Sequence, residues 1–107
     1  MKEFITYDLK SKLNRSDIYN KALTALPDFN WRKGDSDSQG EYVSGMNQNK
    51  VDIQLWLEGN LVEMSVSFRG CWENNENRES KKQKLINIVE FNLIPAIGAN
   101  IKKSEFI

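Results

Sequence analysis

Val51-Asp52-Ile53-Gln54-Leu55-Trp56-Leu57-Glu58-Gly59-Asn60-Leu61-Val62-Glu63-Met64-Ser65-Val66-Ser67-Phe68 is the stretch whose reading decides the fold. Apolar and polar residues alternate on both sides of Gly59-Asn60, a dipeptide suited to a two-residue hairpin turn with positive φ. With the turn placed there, Leu57 faces Val62, Leu55 faces Met64, Ile53 faces Val66 and Val51 faces Phe68. Those eight apolar side chains share one face. The other face pairs Glu58 with Leu61, Trp56 with Glu63, Gln54 with Ser65 and Asp52 with Ser67. A slip of one residue would reverse every side chain, so turn chemistry and alternation select the same register. Burying each apolar side chain contributes roughly 1.5–3 kcal/mol. Ordering costs about 1.5 kcal/mol per residue. A bare hairpin does not win that balance, so its apolar face needs a cover.

The flanking sequence supplies the cover. Asn14 or Ser16 caps a helix in which Ile18, Ala22, Leu23 and Leu26 recur at helical spacing, and Pro27 stops it. A second helix is expected over Ser80–Leu93, with Leu85, Val89 and Leu93 in one line and Ile86 and Ile97 beside it. Ile88, Phe91 and Ile94 lie off that line, so much of its circumference is apolar. Pro95 should kink or end this helix, and Gly98 is a candidate stop. Residues 3–10 alternate as a first strand. Phe29 and Trp31 form a short extended stretch, and residues 34–40 read as turn. Glu41–Met46 is a strand whose inward face is either Tyr42, Ser44 and Met46 or Val43 alone. Residues 73–78 read as a polar loop, and 101–107 as a candidate last strand. The expected class is α+β: one domain over residues 1–107, an antiparallel sheet of four to five strands with two helices packed on one face. A ferredoxin-like sheet is the alternative.

Composition narrows function by exclusion. In 107 residues, 39% are apolar and 28% charged, an ordinary globular mix. Nothing approaches the ~18 apolar residues of a membrane span, and the first residues lack a signal peptide's apolar core. Histidine is absent, which removes Ser-His-Asp and Cys-His catalysis and histidine metal sites. One cysteine, Cys71, allows no internal disulfide and no Cys-rich zinc site. A cytoplasmic location is expected. The net charge of zero conceals an uneven distribution: three basic and nine acidic side chains give residues 35–79 a balance of −6, between basic ends of +3 each.

Asp35-x-Asp37-x-Gln39-Gly40 resembles the opening of an EF-hand loop, but the twelfth position is Met46, which cannot bind calcium. A looser divalent-metal site from Asp35, Asp37 and Glu41 would belong to a metal-dependent enzyme. Ser36 has no histidine base, and no glycine-rich phosphate loop occurs. Trp56 on an open sheet face could stack a base, as in RNA-recognition domains. Its neighbours Asp52, Glu58 and Glu63 would repel phosphates. The same face suits a protein partner, with Trp56 and Leu61 as apolar anchors inside an acidic rim. Trp31 and Trp72 either extend that surface or lie in the core.

The run from Trp31 to Gly45, followed by the Val51–Phe68 hairpin, looks like a pattern found in small bacterial proteins. In size, α+β outline, lack of catalytic groups and acidic centre, the chain is similar to immunity proteins of bacterial toxin systems, including contact-dependent growth inhibition. That resemblance implies a cytoplasmic inhibitor that binds one cognate toxin; the missing catalytic groups point to a non-catalytic protein without cofactor, and the acidic middle to a basic toxin domain as the partner. The candidate contacts are Asp35, Asp37, Glu41, Asp52, Trp56, Glu63, Glu73 and Glu76. The divalent-metal enzyme is the second expectation, and a small ligand- or nucleic-acid-binding module the third.

Overall fold

The computed structural model describes residues 3–70 and 77–107. The expectations for Cys71, Trp72, Glu73 and Glu76, and most of the loop expected at 73–78, lie outside the described residues.

The decisive hairpin forms in the register its sequence dictates. Strands β4 (Asp52–Glu58) and β5 (Leu61–Ser67) pair Leu57 with Val62, Leu55 with Met64 and Ile53 with Val66. At the turn Gly59 has φ +60°, the left-handed conformation a glycine takes without a Cβ penalty. Val51, Ile53, Leu55, Val62, Met64, Val66 and Phe68 are buried, and Leu57 is partly so.

Around it the elements run β1 (Phe4–Lys10), α1 (Arg15–Ala25), β2 (Asn30–Ser36), β3 (Gly40–Met46), β4, β5, α2 (Arg78–Ile88), a π-helical turn (Val89–Leu93), α3 (Ile94–Ile97) and β6 (Ala99–Phe106). All strands join one antiparallel sheet in the order β2-β3-β4-β5-β1-β6. Two strands more than a β-α-β-β-α-β ferredoxin-like pattern stand between the helices. The α+β class holds, while the sheet has six strands rather than four to five. Both under-read strands are edges. β2 buries only Trp31 along its length and β6 buries nothing fully, so neither shows the alternation of a half-buried strand. The turn expected at 34–40 contracts to residues 37–39. Edge strands carry charge and glycine where central ones carry core, which discourages pairing with other chains.

Helix α1 starts where Asn14 Oδ1 accepts from the Asp17 backbone N–H at 2.9 Å, and it buries Ile18 and Ala22. The second helical stretch runs without a break from Arg78 to Ile97 but changes its winding. Pro95 has no N–H to donate, and the π turn precedes it. This stretch buries Ile86, Val89, Leu93, Ile94 and Ile97, while Phe91 is 74% exposed. Side chains from both helices and the inner sheet face form one core cluster. Inside it Trp31 stacks on Phe29 with ring centroids 5.5 Å apart and donates its indole N–H to the Leu26 carbonyl at 2.9 Å. For β3 the inward choice is Val43, opposite Leu55, with Gly45 beneath the Trp31 ring.

Two polar clusters pin the helices to the sheet. The Arg78 guanidinium grips Glu3 through both oxygens at 2.8 and 2.9 Å, and this contact holds the Glu3 carboxyl below the usual range. Lys82, only 2% exposed, lies 3.4 Å from Glu3 and above the Phe68 ring. On the other side the Tyr7 hydroxyl donates to Glu90 at 2.8 Å, and Lys103 of β6 meets the same carboxylate at 2.6 Å.

Candidate functional site

With all helices on one face, the other face of the sheet is open among the described residues. Strand alternation determines which residues stand on it. Running from β6 to β2, Lys102, Asp8, Glu63, Trp56, Tyr42 and Gly34 occupy one row of cross-strand neighbours. Ser104, Thr6, Ser65, Gln54, Ser44 and Arg32 occupy the next. The second row is polar throughout. The first carries the aromatic side chains, Trp56 and Tyr42.

Trp56 is the centre of this face. Its ring lies 4.9 Å from that of Tyr42, tilted by 45°. Tyr42 in turn covers Gly34, where any Cβ would collide with the phenol ring. The Trp56 indole N–H donates to Gln54 Oε1 at 3.2 Å, and Gln54 Nε2 donates to Asp52 Oδ2 at 3.2 Å. Three outward residues of β4 are thus linked along the strand, which fixes the indole against its neighbours. Arg32 Nε donates to Ser44 Oγ at 3.1 Å on the adjoining strands.

Two concavities flank this centre. A polar one of about 510 Å³ lies toward β2 and the 47–50 loop, lined in part by Asp28, Arg32, Ser44, Lys50, Asp52 and Gln54. The other, about 300 Å³, has Trp56, Leu61 and Ile101 as its large apolar walls and Asp8, Glu58 and Glu63 as its charges. Gln39 from the β2–β3 turn also lines it. Among the described residues, Asp8, Glu58 and Glu63 take part in no ion pair and no side-chain hydrogen bond.

The sequence-derived candidates divide between two places. Asp52, Trp56 and Glu63 share the open face. Asp35 and Glu41 are cross-strand partners on the helix side, where Arg15 of α1 binds Glu41 at 3.3 Å, and Asp37 sits in the β2–β3 turn. The candidates therefore do not form one patch, although the turn lies at the same end of the sheet as the Trp56 cavity. Among the described residues no group of three or more His, Cys, Asp or Glu is placed to hold a metal ion. Trp31 belongs to the core and not to this surface.

Asp8 and Ile101 were not identified from the sequence. Asp8 alternates with buried Ile5, Tyr7 and Leu9, which does place it outward, but nothing local indicates that β1 lies beside β5. Ile101 reaches the cavity at an irregularity, where the β1–β6 register shifts between Asp8 and Leu9.

Besides the Glu3–Arg78 contact, the Tyr7–Glu90–Lys103 group has perturbed titration. Burial, then the hydrogen bond and charge of Glu90, raise the Tyr7 phenol far above its ordinary value. With its ring fully buried and its hydroxyl donating to Glu90, Tyr7 braces the sheet against the second helical stretch. No helix among the described residues is long and apolar enough to cross a membrane. No protein-family model and no curated protein matches the chain.

Proposed function

We propose that the protein is a non-catalytic, protein-binding inhibitor: a cytoplasmic immunity protein that neutralises a cognate bacterial toxin by occluding a basic surface on it. The observation that carries this reading is the open sheet face centred on Trp56, with an apolar-walled cavity bordered by carboxylates that lack partners among the described residues. A fixed indole beside a concavity is the kind of anchor on which interface energy concentrates. Carboxylates around it favour a cationic partner and disfavour nucleic acid.

The two groups of acidic residues divide the work on this reading. Trp56, Glu63 and Asp52 make the contact. Asp35, Asp37 and Glu41, at the end of the β2–β3 hairpin, guide the approach. If the partner is a nuclease, its cleft is cationic to hold phosphates, and carboxylates can occupy that cleft in their place.

The experiment is capture of partners from the native host on tagged protein, followed by co-expression of the captured partner with and without this chain. The expected result is a basic protein whose growth-inhibiting activity this chain suppresses, and whose capture Trp56→Ala weakens. Recovery of nucleic acid or a metabolite in place of a protein, or of a protein whose activity is unaffected, overturns the reading.

A further inference from the structure

We infer that the Trp56 cavity is a receptor for one arginine side chain of the partner. The inference rests on the protein-binding reading and specifies what that site takes. Asp8 and Glu63 are directly opposite each other on neighbouring strands. Like charges so placed destabilise a sheet, and here no ion pair relieves either of them among the described residues. Lys102 is the other cross-strand neighbour of Asp8, and it forms no ion pair with it. The other neighbour of Glu63 is Trp56. Glu58 adds a third carboxylate to the same cavity.

These carboxylates do not converge as metal ligands do. They are spread around an apolar wall, an arrangement that fits an extended organic cation better than a compact ion. The volume, about 300 Å³, is at the small end of what ligand pockets enclose. It has room for one long side chain and is small for a whole cofactor. Leu61 and Ile101 offer apolar contact for a methylene stem, and Trp56 offers an aromatic surface for the head. A planar guanidinium can stack on that surface and donate to carboxylates on more than one side at once. An ammonium is a strongly hydrated point charge and gains less there.

The test is a titration of the intact protein, labelled with ¹⁵N, with a capped tetra-arginine peptide, and in parallel with a capped tetra-lysine peptide. Saturable shifts are expected at the Trp56 indole N–H and at the amides of Leu61, Glu63 and Ile101. Tetra-lysine should bind more weakly. Glu63→Gln and Trp56→Ala should each weaken tetra-arginine binding about tenfold, whereas Asp17→Asn, in the first turn of α1 on the helix side, should leave these shifts in place. Peptide shifts confined to the β2–β3 turn, equal affinity for the two peptides, or no saturation overturn the arginine receptor. A cognate protein that still binds both Trp56→Ala and Glu63→Gln at full strength overturns it too, and leaves protein binding itself standing. Failure to capture any protein from the host removes the wider reading, while the peptide titration still decides the chemistry of the cavity.

Discussion

Leu55 is wholly buried between β3 and β5 and faces Val43 on one side and Met64 on the other. Truncating it to alanine leaves a void that neighbours in a six-stranded sheet cannot close. Leu55→Ala should lower stability by about 2–5 kcal/mol, read from urea unfolding. This residue's place was legible from its parity with Ile53 and Leu57 alone. Glu90 was not legible in that way, because its partners come from opposite ends of the chain. Burial works against its carboxylate, but Lys103 and Tyr7 together outweigh that and hold its pKa below the usual value. A carboxylate depressed in the folded state stabilises above its unfolded pKa of about 4.3, and that stability is lost as pH falls through the folded value. Lys103 has the opposite sign. Its hydrogen bond to Glu90 raises its pKa, so its contribution holds below the unfolded value and is lost only as pH rises through the folded one. Glu90→Gln should therefore be less stable than the parent near pH ~7, and the gap should begin to close as pH falls below the unfolded value of about 4.3 and vanish once pH has passed through the folded one. Urea midpoints measured across that range check it. An unchanged gap in acid would mean the carboxylate charge is not what stabilises.

The elements differ in how plainly the sequence announces them, and the physical reason is burial. β4 and β5 are central, so each must alternate strictly, and they do. β2 and β6 are edges with one neighbour each. Arg32, Lys33 and Asp35 in β2, and Lys102, Lys103 and Glu105 in β6, are tolerated because water solvates them. Backbone pairing makes these strands, and pairing leaves no mark on local hydropathy. The π turn was equally invisible, although Pro95, which it precedes, was the visible disturbance. Gly98 was read as a helix stop, and its geometry adds a second demand. A Cβ there would run into the backbone carbonyl of Lys10, which is held between β5 and β6. Gly98→Ala must push the start of β6 away from β1. The expected cost is about 1–3 kcal/mol, with faster amide exchange over residues 100–106 than elsewhere in the sheet. If exchange accelerates uniformly, β6 is not a separately docked element.

At the scale of the whole molecule the charge asymmetry read from the sequence has a spatial counterpart, though a different one from that expected. The acidic middle does not make one patch, because β2 and β3 turn Asp35 and Glu41 toward the helix side while β4 and β5 turn Asp52 and Glu63 outward. Parity within each strand was legible. The relation between hairpins was not, since it depends on which strands become neighbours. This separation gives the proposed binding a kinetic signature. Charges that steer act at a distance and are screened over about 8–10 Å in physiological salt. Charges and rings in the contact act once docked. With a captured protein partner, association should slow as salt rises, and Asp35→Lys with Asp37→Lys should slow it by roughly tenfold and flatten its salt dependence. Trp56→Ala should leave association and its salt dependence nearly intact and accelerate dissociation, because an anchor is felt mainly after encounter. Both rates are measurable by surface-immobilised kinetics over a salt series. An association rate indifferent to salt, unchanged by charge reversal at Asp35 and Asp37, would assign no steering to the hairpin end. The open face around Trp56 would then have to account for recognition by contact alone.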